Sequence, residues 1–307
     1  MVQSFQITFE QILVLCFQIA AGFLFYKMRL IQGAAVTSLI NTVIYLSLPC
    51  MLLTAFDMDL TPETMWSFFC GLFAAILCHV IAIVVSILCI RERKGYDRRV
   101  LIECCVFSNC GLFGLPLLSA LMGSEGLFYG SPYNLVFGTL FWTGGVLYLK
   151  AGQGKVTAKK ILLNPCNIAL FIGFFLFFTQ RTLPPILQKV TTQVGNMAVP
   201  LSMFIIGLNL ARADLKSVVK NKYYWFVSFV RLVLIPAACV VVLYLIRIRG
   251  DLLAAVIISA ATPAATTVAI IAEECNRDSV QASLVISLST ILSIVTLPAI
   301  VALAKCL

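Results

Sequence analysis

The sequence predicts an all-α membrane protein of ten transmembrane helices, arranged as two inverted halves of five. Three observations predict it. Of 307 residues, 61% are hydrophobic and 11% charged, with a mean hydropathy of +1.02; that is too little polar surface to cover a globule in water. Ten apolar stretches can be drawn at about 20 residues each, the length that crosses the hydrocarbon of a bilayer. Finally, ten spans divide into five and five, and an odd number per half starts the second half on the opposite face from the first.

The stretches are 7–26, 34–53, 65–90, 100–122, 127–149, 161–179, 190–210, 223–245, 252–272 and 280–303. The first has no basic residue ahead of it, carries Glu10 and lacks a small-residue cleavage site, so it is expected to be a retained span and not a leader. Sixteen Lys and Arg lie in the odd connections, among them Arg91, Arg98, Arg99, Lys150, Lys155, Lys159, Lys160, Lys216 and Arg277. Five lie in the even connections and tails, and Arg231 is left inside the eighth span. Basic residues are retained on the cytoplasmic side, which predicts a multi-pass protein of the inner membrane with both termini outside. The formal net charge of +9 is then a matter of topology, and nucleic acid is not expected as a partner. Most of the 12 cysteines stand in apolar runs, where a thiol behaves as a small hydrophobe. His79 is the single histidine, so no metal or cofactor is expected, and its apolar setting predicts packing or hydrogen bonding over proton carriage. The role of Cys110 is left open.

The halves, 1–150 and 151–307, correspond in punctuation. The second span of each carries a proline, Pro49 and Pro200. The fourth span of each carries a helix-breaking cluster: Ser108-Asn-Cys-Gly-Leu-Phe-Gly-Leu-Pro116 and Ala261-Thr-Pro-Ala-Ala-Thr-Thr267. A backbone break in lipid leaves N–H and C=O groups that cost several kcal/mol each unless protein, water or ligand satisfies them. At about 1.5 Å per residue, both breaks fall roughly 15 Å deep. If the broken helices cross there, two helix N-termini aim partial positive charge at one spot, a seat for an anion. Asn109, Thr262, Thr266 and Thr267 add neutral donors. The competing reading, that Gly and Pro merely kink packed helices, explains one break more easily than two matched ones. Glu103 and Arg231 are charges inside spans: they pair, or Arg231 snorkels while Glu103 stays at the interface beside Arg98 and Arg99.

These residues resemble the auxin efflux carrier family, which includes plant PIN carriers and bacterial malate or malonate permease-like proteins. Ile40-Asn41 with Leu48-Pro49 looks like its second span, and Asn109 through Gly111, Gly114 and Pro116 like its fourth-span signature. Asn164-Pro165, Pro200 through Ser202 to Gly207, Arg231 through Pro236, and Thr262-Pro263 running to Glu273-Glu274 are similar as well. The resemblance implies an NhaA-like fold with crossed broken helices 4 and 9, a scaffold of helices 1, 2, 6 and 7, and transport helices 3–5 and 8–10 that move as an elevator. It also implies a homodimer formed through the scaffold. By the same resemblance Asn109, Gly111, Gly114, Pro116, Thr262, Pro263, Thr266 and Thr267 stand at the crossing, with Asn41, Pro49 and Ser202 on the scaffold side. The short fifth connection departs from plant carriers with long regulatory loops.

The expected function is therefore secondary transport of a small organic anion, a carboxylate such as malate, malonate or an indole carboxylate. A sodium-coupled bile-acid-type symporter shares the plan but wants more Glu, Gln and Asn near the crossing. A ligand sensor that does not transport is the alternative from another class. An intramembrane enzyme would need a nucleophile with a base, or His and Asp at ligand spacing; neither is present.

Overall fold

The computed structural model describes residues 2–150, 165–212 and 220–306; Lys155, Lys159, Lys160, Asn164 and Lys216 lie outside the described residues. Among the described residues the structure is helical, apart from one isolated antiparallel bridge between Ser108 and Ala264. In chain order the helical runs are α1 (Val2–Lys27), α2 (Ala34–Thr54), α3 (Pro62–Cys89), α4 (Arg98–Val106), α5 (Cys110–Leu149) and α6 (Pro165–Thr179). They continue as α7 (Pro185–Arg212), α8 (Lys222–Leu245), α9 (Gly250–Ala261), α10 (Thr266–Glu274) and α11 (Ser279–Cys306). Six of these runs (α2, α3, α5, α7, α8 and α11) are long and apolar enough to cross a bilayer, and α6, α9 and part of α1 are shorter apolar helices. Their outer faces carry exposed Phe17, Trp66, Leu88, Phe175, Leu245 and Val295, a surface that suits lipid.

Local chemistry sets the helix starts. Thr61 and Thr64 form a reciprocal capping box on α3, with Pro62 in the first turn. Asp97 accepts from the Arg99 and Val100 amides to cap α4, and Asn221 accepts from the Tyr223 amide to cap α8. Three wide π turns, Val43–Ser47, Cys110–Gly114 and Val230–Leu234, are each followed two residues on by a proline (Pro49, Pro116, Pro236). Proline has no N–H to give the preceding turn, and the wider turn absorbs the missing bond. Gly123, at φ 60° and ψ −143°, is outside the helical region and bends α5. Gly126 consequently lies against the Leu118 carbonyl, where an added Cβ would stand 2.7 Å from the oxygen. The chain doubles back there, between the expected fourth and fifth spans.

Two of the buried clusters define how the helices group. The largest joins α3, α4, the second arm of α5, α8, α9, α10 and α11, around Cys78, Cys105, Phe107, Phe141, Val230, Ile257 and Val285. A second joins α2, α6 and α7 to the doubled-back part of α5 through Phe56, Phe128 and Phe177. α1 lies along α7 at very close range, because Gly22 and Gly207 bring the two backbones together: a Cβ on Gly22 would strike the Phe204 carbonyl oxygen, and one on Gly207 the Ile19 carbonyl oxygen.

The odd connections meet on one face. Tyr96 donates to Asn221, Tyr223 to the Arg91 carbonyl and Arg99 to the Tyr148 carbonyl. Arg277 donates to the Leu149 carbonyl, and Gln281 accepts from the Asp97 amide. Even connections meet likewise, with Gln188 donating to Asp57 at 2.6 Å.

The α1–α7 contact yields a direct check. Gly207→Val is expected to cost about 1–3 kcal/mol through overpacking against backbone that cannot yield. Gly144→Ala meets nothing within 4 Å and is expected to be silent. Thermal unfolding of the purified variants in detergent separates the two.

Candidate functional site

Both expected breaks are present, and they pair with each other. The Asn109 amide donates to the Pro263 carbonyl at 2.8 Å, and the Ala265 amide donates to the Phe107 carbonyl at 2.9 Å. Residues 107–109 and 262–265 thus form a short antiparallel crossing. The Ala264 amide, facing the other way, donates to Ser289 Oγ of α11 at 3.2 Å. Extended backbone at this depth is tolerated because protein groups take up its donors and acceptors.

The C-terminal ends of α4 and α9 also need partners, since the last carbonyls of a helix have none within it. Arg231, in the π turn of α8, supplies them. Its side chain is fully buried, and its guanidinium donates to Cys105 O of α4 and to Ala260 O and Thr262 O of α9, all within 3.1 Å. A planar fork of donors suits carbonyls diverging from two chains, which an ammonium does not match. The cation also faces the negative ends of two helix dipoles, where a positive charge is favoured. The expected alternatives for Arg231 are both replaced by this arrangement: it neither snorkels nor forms an ion pair with Glu103, whose Oε2 is buried without a hydrogen-bonding partner.

The opposite ends are left open. Neither α5 nor α10 has a side-chain cap. Phe113 N and Gly114 N both donate to Asn109 O at 3.0 Å, and Val268 N donates to Ala265 O at 3.1 Å. Among the described residues no backbone carbonyl meets the amides of Cys110, Gly111 and Leu112 on one side or of Thr266 and Thr267 on the other. The side chain of Asn109, 7% exposed, is unbonded, and Thr267 Oγ1 is buried without a partner. Two helix N-termini with free donors therefore face the crossing from opposite directions.

The other expected residues fall into place unequally. Gly114 packs on Thr262, with an added Cβ 3.3 Å from the threonine methyl, and a Cβ added at Gly111 would stand 3.2 Å from Asn134 Oδ1. Pro116 is buried one turn further on. The Thr262 hydroxyl donates back to Ser259 O at 3.0 Å, which removes it from the free donors. Ser202 on α7 is fully buried with its Oγ unpartnered, and Pro49 follows the π turn of α2. Asn41 is exposed, on a stretch of α2 that packs against α7. His79 Nδ1 bonds the Ala75 carbonyl at 2.8 Å, and its ring lies 4.6 Å from that of Tyr133. Cys110 Sγ donates to Asn134 Oδ1 at 3.8 Å.

Sequence reasoning missed Asn134 and Ser289. Asn134, 7% exposed, carried a signal, because an amide in the middle of a span is itself a marker of function or packing. Ser289 carried none, since a serine in an apolar helix ordinarily bonds its own preceding turn.

A family model described as membrane transport protein matches residues 7–301, nearly the whole chain. The chain belongs to this family, that of the auxin efflux carriers. A protein of Methanothermobacter thermautotrophicus, named as an uncharacterized transporter, is 31% identical over 197 residues, which span 62% of this chain and 63% of that protein. The match thus covers less than two thirds of the relative's length. Membership places this chain in a family of multi-pass membrane transport proteins, and the paired breaks are the part of it with unsatisfied, converging donors.

Arg231→Gln removes a charge-assisted donor from three carbonyls at once, and hydrogen bonds to charged groups contribute about 1.5–3 kcal/mol each. The variant is expected to lose at least one such increment of stability, and Arg231→Lys to recover only part of it because the fork is lost. Thermal unfolding of both in detergent, beside the wild type, checks the order.

Proposed function

We propose that the protein is a secondary transporter of a small organic anion, a carboxylate of the malate, malonate or indole-carboxylate kind. The observation that carries this reading is the pair of uncapped helix N-termini at the crossing, with the amides of Cys110, Gly111, Leu112, Thr266 and Thr267 unused by backbone carbonyls. Each helix start is equivalent to roughly half a positive charge, and a carboxylate has two oxygens to divide between two such ends. The Asn109 side-chain NH2 and the Thr267 hydroxyl supply the remaining donors. Arg231 neutralises the two negative helix ends on the far side of the crossing, so the field at the open ends stays positive.

In this reading the chain crosses the inner membrane ten times as two inverted halves, its odd connections cytoplasmic and its termini outside. The large cluster of α3, α4, α8, α9, α10 and α11 moves as one body against α1, α2, α6 and α7. That grouping suits an elevator, because Phe107, Cys110, Ala264 and Ala265 of the crossing lie in one cluster and the apolar face between the groups can slide. Two copies would meet through the α1, α2, α6, α7 side.

The test is radiolabelled counterflow in liposomes with malate, malonate and indole-3-acetate, with sodium varied separately. Saturable counterflow of one carboxylate is expected, reduced about tenfold in Asn109→Ala, the loss of one good hydrogen bond to charge. Binding without flux in correctly inserted protein contradicts transport and identifies a sensor. Flux that requires sodium identifies a symporter of the bile-acid type.

A further inference from the structure

We propose that Glu103 is a proton site, and that the protein carries its anion together with a proton taken up there. The proposal rests on the reading of the crossing as an anion site and names its coupling ion.

Glu103 stands in α4, about 7.5 Å along the helix from Arg98 at 1.5 Å per residue. It is 3% exposed, and its Oε2 has no hydrogen-bonding partner. A bare carboxylate in such a place is costly unless something balances it. Among the described residues the packed elements supply no partner for Oε2. From α8, Arg231 spends its donors on Cys105, Ala260 and Thr262. From α3, His79 uses Nδ1 on the Ala75 carbonyl. From α5, Tyr148 is within electrostatic reach of the carboxyl, but it is uncharged. Glu273 and Glu274 sit exposed at the far end of α10. At the mouth, Arg98 and Arg99 are held by the Ile90 and Tyr148 carbonyls, and Arg277 by Leu149 O and Asp97. Among the described residues no cation is left over to balance Glu103, and a proton taken from solution does so.

The space selects the proton. The carboxyl lies over Gly145 in the π turn Phe141–Gly145, where an added Cβ would stand 2.9 Å from Glu103 Oε2 and 3.1 Å from the Phe107 ring. Glycine makes room for the acid where any side chain would displace it. An open cavity of about 560 Å³ lined by Asp97, Arg98, Arg99 and Arg277 lies at the start of α4, on the same helix as Glu103.

The same residues link the proton to the anion. The Glu103 carbonyl accepts from the Phe107 amide at 2.9 Å, and the Phe107 carbonyl in turn accepts from Ala265 at the crossing. The acid and the edge of the Phe107 ring share the space over Gly145. An anion one turn deeper repels a carboxylate at this site and is compatible with the neutral acid, so the two ligands bind together. A proton bound with a monoanion crosses without net charge; with a dianion it carries one negative charge. The linkage predicts symport.

The test has two arms on wild type, Glu103→Gln and Gly145→Ala in liposomes. In the first, the infrared C=O band of a protonated carboxylic acid is followed as pH is raised; it is expected to titrate in the wild type and to be missing in Glu103→Gln. A band unaffected by Glu103→Gln overturns the proposal. In the second, labelled malate is used. Uptake driven by an inward proton gradient is expected to fall about tenfold in Glu103→Gln, while counterflow, which needs no net proton movement, stays close to wild type and shows that the variant is folded. Gly145→Ala, which pushes the acid aside, is expected to weaken gradient-driven uptake in the same sense. Gradient-driven uptake unchanged in Glu103→Gln overturns the proposal. Absence of counterflow by the wild type for every carboxylate tried would instead overturn the anion reading, and the infrared arm then decides the proton site by itself.

Discussion

A helix broken inside a bilayer must find partners for its own backbone, and the rest of this structure depends on how that need is met. The carbonyl ends of α4 and α9 converge on one guanidinium, that of Arg231. The extended residues between the half-helices bond each other and Ser289. Only the amide ends of α5 and α10 are left over. The asymmetry is useful: the protein satisfies the carbonyls of Cys105, Phe107, Ala260, Thr262 and Pro263 and leaves a set of backbone donors at the open helix starts. A site made this way prefers a ligand rich in acceptors, and anions are the richest.

The placement of Arg231 also explains why a charge can be buried so completely here. An isolated guanidinium in an apolar interior is prohibitive, yet three carbonyls at the negative ends of two helices provide much of what water would. The charge is consequently structural, and it is Glu103, one turn from the crossing and facing Gly145, whose Oε2 has no partner among the described residues. One charged residue of the pair thus stabilises the crossing, and the other is free to report on it.

How much of this could be read from the sequence follows from where the physical signal resides. The breaks were legible because Gly, Pro and Asn in apolar runs are costly unless used, and two such runs at matched positions stand out. The doubling back at Gly123 was legible as a gap between apolar stretches. The partners of Arg231 were not, because a backbone carbonyl has no residue identity to announce it, whereas Glu103 was a visible charge and drew the expectation of a pair. Thr262 was expected as a donor from its residue type, but its hydroxyl turns back on Ser259, a choice made by local backbone geometry. Asn134 was overlooked because its approach to Gly111 depends on how two arms of one helix fold together, which hydropathy does not encode.

The most direct measurement of the central claim is backbone amide hydrogen exchange of the protein in nanodiscs, with and without saturating carboxylate. The account predicts slower exchange on ligand addition at residues 110–112 and 266–267, with the crossing bonds of Asn109 and Ala265 protected in both states. Protection that appears instead at the basic mouth around Arg98, Arg99 and Arg277, with residues 110–112 and 266–267 unchanged, would contradict it.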